Sequence, residues 1–166
     1  MSTTPPSSGN HAPRLVGFIC DWAVVTTDIA DASGRLKAHP SVALIRVPCS
    51  GFIRPSWLED TLKAGADGVF VVGCPYGDCL NREGNFLMQE RIETLQRRLQ
   101  RRKVEPERLT MMAHGLHDRD AFLAEVGELL ASVRGIAAPP AAARSPVAPR
   151  PATPTASSAS GEENPA

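Results

Sequence analysis

The stretch DGVFVVGC, residues 67–74, decides the fold. It is apolar from Gly68 to Gly73, rich in β-branched valine, and closed by the loop PYGDC (75–79). A strand with one wet face alternates polar and apolar residues. A short run without alternation is covered on both faces, as in a parallel sheet lying between helices. LVGFIC (15–20), VALIRVPC (42–49) and LTMMAHG (109–115) read as three more strands.

Helical patterns separate them. Pro55 and Ser56 open SWLEDTLKAGA (56–66), which stops near Gly65. Asn85 is placed to cap a helix reaching about Lys103, with Phe86, Ile92, Leu95 and Leu99 on one stripe. Asp118 is placed to cap a last helix carrying Phe122, Val126, Leu129, Leu130 and Val133. DWAVVTTDIADAS (21–33) reads as a further, β-branched helix ended by Gly34. This alternation predicts an α/β fold: a small doubly wound parallel sheet of about four strands, flavodoxin-like or Rossmann-like.

The chain has 166 residues, which suits one domain, expected over 14–134. Residues 1–13 are Ser/Thr/Pro-rich, and residues 135–166 are almost entirely Ala, Pro and Ser. Val147 is the only aliphatic residue beyond alanine in 137–166, so that segment has little to bury against its ordering entropy. Both ends are expected to be disordered tails. Eighteen basic and eighteen acidic residues give zero formal charge, which argues against general attraction to nucleic acid. No apolar run approaches the roughly 18 residues of a membrane span. The first dozen residues lack the charged-then-apolar order of a secretory signal, so a cytoplasmic location is expected. There cysteines stay reduced, and a set of four points to metal or catalysis before disulfides.

The four cysteines fall in a pattern. Cys20, Cys49 and Cys74 each end a predicted strand, and Cys79 lies in the loop after the third. Parallel strands end on one edge, where open α/β sheets bind their ligands. Four thiols distant in sequence therefore converge. Gly51, Gly73, Gly77 and Gly84 permit tight or positive-φ turns around them, while Pro48 and Pro75 stiffen the chain beside Cys49 and Cys74.

Several readings of these residues compete. Isolated buried cysteine is common, but explains one position better than four. A zinc-stabilised interaction module would use four thiolates, although the paired C-x2-C knuckles of zinc sites are absent. A dithiol redox protein would use Cys74 and Cys79, leaving Cys20 and Cys49 unexplained. An iron–sulfur cluster accepts such dispersed ligands and fits best. His114 and His117 flank the end of the fourth strand, as alternative ligands or ordinary loop residues. Trp22 would shield the site or fill the core. Arg97, Arg98, Arg101, Arg102 and Lys103 form a solvated helix face or a docking patch. No G-x-G-x-x-G follows the first strand, so nucleotide binding at the sheet edge is not expected.

PCSG (48–51), AGADGVFVVGCPYGDC (64–79) and GNFLMQERIETLQ (84–96) resemble the delta subunit of methyl-viologen-reducing (F420-non-reducing) hydrogenases. The resemblance runs over roughly residues 15–133. It implies a small electron-transfer subunit with one [2Fe–2S] cluster, no chemistry of its own, and Cys20, Cys49, Cys74 and Cys79 as ligands. It also implies partners: an oxidoreductase module such as a hydrogenase or formate dehydrogenase, and the flavin subunit of a heterodisulfide-reductase-like complex. The family's first motif usually reads C-x-W-C, and here Ala23 stands at its last position, leaving four thiols.

Overall fold

In the computed structural model, which describes residues 12–134 and 136, four strands form one parallel sheet. They are β1 (Leu15–Cys20), β2 (Val42–Val47), β3 (Gly68–Gly73) and β4 (Leu109–Ala113), in the order β2-β1-β3-β4. Three helices follow the later strands: α1 (Pro55–Lys63), α2 (Gly84–Arg101) and α3 (Arg119–Arg134). The α/β reading of the sequence holds. The expectations for the two tails concern residues that, apart from 12, 13 and 136, lie outside the described ones.

The sheet separates two layers of core. On one face Phe18, Val69 and Val71 meet Leu58 and Leu62 of α1 and Met88, Ile92, Leu95 and Leu99 of α2. On the other, Leu15, Ile19, Phe70 and Val72 meet Phe122, Val126, Leu130 and Val133 of α3. β3 is buried at every position, as its unbroken apolar run requires. β2 is an edge strand whose Ile45 and Arg46 are exposed, so burial on both faces does not extend to it.

The segment 21–33 is not a helix. It crosses from β1 toward β2 as turns with isolated bridges, Ala30 to Leu36 and Arg35 to Ala43. The consecutive β-branched residues Val24, Val25, Thr26 and Thr27 crowd χ1 in a helix and lower its stability. Asp31 gives the backbone another partner: its carboxylate accepts the N–H groups of Ser33 and Arg35 at 2.8 and 3.0 Å. The segment still covers the sheet, through buried Ala23, Val24 and Ile29.

Two helix details also differ from expectation. Phe86 is half exposed, and Met88 takes the core position at the start of the α2 stripe. Asn85 lies inside α2, where its Oδ1 accepts the first-turn Phe86 N–H at 2.9 Å while its amide serves the neighbouring loop. Asp118 does precede α3, and its carboxylate accepts the Gly115 N–H at 2.7 Å.

Candidate metal centre

The strand order makes β1 and β3 neighbours although β2 comes between them in sequence. The chain changes direction across the sheet there, and the carboxyl ends of the two strands open a crevice. Cys20 and Cys74 stand on either side of it. Their Sγ atoms are 3.7 Å apart, far beyond a disulfide bond. A metal bound to two thiolates at about 2.3 Å in tetrahedral geometry holds those sulfurs roughly 3.8 Å apart. The pair has the spacing of two ligands on one metal ion.

Cys49 and Cys79 form a second pair. A Cβ placed on Gly84 would lie 2.5 Å from Cys49 Sγ and 3.4 Å from Cys79 Sγ, so both sulfurs abut the first residue of α2. The pairs sense one another electrostatically, Cys20 and Cys79 acting on both Cys49 and Cys74. Among the described residues no group of three or more His, Cys, Asp or Glu side chains is arranged around one metal ion. Four thiols gathered at one rim are a donor set that a metal cluster would take. The residues present therefore fit a two-iron cluster, which takes four cysteines.

The local electrostatics differ between the sulfurs. Burial pushes the Cys74 thiol up to about 12, aided by its hydrogen bond with Cys20. Burial likewise raises Cys49, against the opposing Gly51 N–H and Asn81 side chain. Burial also acts on Cys79, yet the backbone N–H groups of Asn85, Asn81 and Gly84, with the Cys49 thiol, outweigh it and lower its pKa. A nucleophilic dithiol needs an accessible thiolate. Buried Cys74, which faces Cys20, lacks that character.

Neighbouring elements fix the two loops. Asn85 is fully buried, and its side-chain amide donates to the carbonyls of Cys74 and Pro75 at 3.0 and 2.9 Å. Arg91, two turns along α2, donates to the carbonyls of Gly51 and Ile53 at 2.7 and 3.1 Å. One helix thus ties down the turns carrying Cys49 and Cys74. Of the four glycines near the site only Gly77 has positive φ, +96°. Gly51, Gly73 and Gly84 instead allow close approach, each lying where a Cβ would meet another atom at 2.8 Å or less. Sequence reasoning gives Arg91 no role and gives Asn85 only its part at the helix start, not its hold on the cysteine loop. The spacing G-N-x5-R directly after the cysteine loop was the available signal.

The other candidates lie elsewhere or serve packing. His114 is buried against α3, its Nε2 2.6 Å from Glu125 and its ring edge-on to Phe122. His117 is exposed. Trp22 is 51% exposed and fills no core. Arg98 and Arg102 reach Glu59 of α1, the latter at 3.9 Å, so part of the basic face is engaged within the fold. Exposed apolar side chains crowd the cysteine rim: Phe52, Tyr76, Leu80, Phe86 and Leu87. The rings of Tyr76 and Phe86 pack at 4.9 Å. Among the described residues no helix is long and apolar enough to cross a membrane.

Comparison with known proteins places this geometry in context. Residues 15–137 match the family described as the methyl-viologen-reducing hydrogenase delta subunit. The iron-sulfur subunit of the vhc F420-non-reducing hydrogenase of Methanococcus voltae is 41% identical over 100 residues, covering 60% of this chain and 69% of that one. The iron-sulfur subunit of the F420-non-reducing hydrogenase of Archaeoglobus profundus is 40% identical over 101 residues, covering 60% and 72%. One subunit of the ferredoxin:CoB-CoM heterodisulfide reductase of Methanosarcina mazei is 29% identical over 129 residues, which are 76% of this chain but 16% of that longer one.

Proposed function

The chain belongs to the methyl-viologen-reducing hydrogenase delta-subunit family, related also to part of a heterodisulfide reductase, and we propose that it relays single electrons through a [2Fe–2S] cluster. Cys20 and Cys74 would hold one iron, and Cys49 and Cys79 the other. The observation that carries this reading is the two-pair grouping of the thiols, one pair spaced at 3.7 Å. When bound, the cluster supplies one reversible electron-accepting site at the rim of the sheet.

The chain's own groups orient and insulate that site. Buried Cys20 and Cys74 limit water on the inner side, and the N–H groups around Cys79 favour its thiolate form, the form that binds metal. Asn85 and Arg91 hold the loops so that the sulfurs keep their places through a redox cycle. In this reading the thiols hold the cluster and no other side chain among the described residues is assigned a chemical step. Catalysis would therefore belong to partner subunits.

Those partners would be an oxidoreductase module, such as a hydrogenase or formate dehydrogenase, and the flavin subunit of a heterodisulfide-reductase-like complex, in the cytoplasm. The presence of a related stretch within a longer heterodisulfide reductase chain supports the second partner. The exposed apolar collar supports direct docking around the cysteines.

Anaerobic purification of the full chain tests the reading. A brown protein with equal iron and acid-labile sulfide, bleached by dithionite, is the expected result. Cys74→Ser should abolish that absorption, and His117→Ala should preserve it. A colourless chain carrying one zinc, or no metal at all, would overturn the proposal.

A further inference from the structure

Ser50 directly follows Cys49 and opens a short 3-10 turn, Ser50–Phe52. The residue is 1% exposed. Its hydroxyl has no hydrogen-bond partner, neither an oxygen or nitrogen nor any cysteine sulfur. Buried polar atoms are nearly always satisfied, because leaving one unpaired costs its full desolvation. The turn's backbone does not explain the serine: Ile53 N–H is satisfied by the Ser50 carbonyl, whatever the side chain. The hydroxyl lies beside the third strand's tip, 3.3 Å from where a Cβ on Gly73 would stand. Gly73 adjoins Cys74 and Ser50 adjoins Cys49, so the orphaned hydroxyl lies at the meeting of the two turns that carry one member of each thiol pair.

We infer that Ser50 is a positioning residue whose hydroxyl donates a hydrogen bond to an inorganic sulfide of the bound cluster. The inference rests on the [2Fe–2S] reading above. The cysteine sulfurs do not receive this hydrogen, and a sulfide of a cluster held by the neighbouring cysteines would supply the missing acceptor. Reduction adds negative charge to the cluster, and a donor to its sulfide strengthens as that charge grows. The hydroxyl therefore favours the reduced state and raises the potential.

Ser50→Ala in the full chain separates this role from a structural one. The metal-free variant should be as stable as the wild type or more so, since an unsatisfied buried hydroxyl has been removed. The loaded variant should keep its iron and sulfide while its reduction equilibrium falls at least tenfold, which is 59 mV for one electron. The D2O-induced shift of the bridging iron–sulfide Raman bands should shrink in parallel. An unchanged potential with an intact cluster would show that the hydroxyl meets only water, and would overturn the inference alone. A loss of metal-free stability would mean a protein partner for the hydroxyl, and loss of iron would mean a role in assembly; either also overturns it. A wild-type chain without iron and sulfide would overturn the proposed function itself, and this inference with it.

Discussion

Gly84→Ala tests the site at its tightest point. The new Cβ would lie 2.5 Å from Cys49 Sγ and 3.4 Å from Cys79 Sγ. Non-bonded heavy atoms rest at roughly 3.5–4.0 Å, so Cys49 Sγ must withdraw by about 1 Å. Metal–ligand distances tolerate about 0.2 Å, so the displacement is several times what the second thiol pair can absorb. The fold itself should tolerate the change. Local overpacking costs about 1–3 kcal/mol, and alanine in place of glycine in α2 returns up to about 1 kcal/mol. The net effect on the melting temperature should stay below about 8 °C per kcal/mol remaining. Gly77→Ala is the control: its φ is +96° and nothing lies within 4 Å of the added methyl. It should cost about 1–2 kcal/mol in backbone strain and leave iron binding intact. Iron per chain, visible absorption and thermal unfolding followed by circular dichroism read both variants. Gly84→Ala binding iron at the wild-type level, or Gly77→Ala losing it, would refute the assignment of Cys49 and Cys79 as a ligand pair packed on α2.

Three further outcomes follow from the geometry. Phe70→Ala should destabilise the chain by about 3–5 kcal/mol in urea unfolding, because its fully buried ring packs on Phe122 and closes over Gly17. Asn85→Ala leaves the Cys74 and Pro75 carbonyls without their donor and should cost about 1–3 kcal/mol, with faster loss of iron to a chelator. In the reduced, metal-free chain, Cys79 should alkylate first, at pH values below the usual thiol range, and Cys74 last, as mass spectrometry of timed iodoacetamide reactions would show. The raised Cys74 pKa favours its protonated form, so its contribution to metal-free stability is complete below pH 9.0 and is lost as pH rises toward about 12.

The strands were legible because burial on both faces leaves a local mark. The run from Gly68 to Gly73 is apolar throughout, and its neighbours in the chain are turn formers. Convergence of the cysteines followed from that reading alone, since parallel strands end on one edge. The segment 21–33 misled because its apolar residues have no strict period. They are buried by turns that follow the sheet surface, and no local pattern marks such turns. Asn85 was only half legible: its Oδ1 accepts the first-turn N–H of Phe86, as its place at a helix start suggests, but its amide is used across the loop by the Cys74 and Pro75 carbonyls, which no local pattern marks.

What the amino-acid order determined by itself is the set of chemical groups at the sheet's edge: four thiols, three of them delivered by strand ends. Which thiol faces which was decided only by the tertiary structure. The order β2-β1-β3-β4 puts Cys20 beside Cys74 across the crevice, and the approach of α2 leaves Cys49 and Cys79 sharing the space over Gly84. Strand order depends on how crossing segments and helices divide the two faces of the sheet. That is a property of long-range packing, which no window of sequence contains.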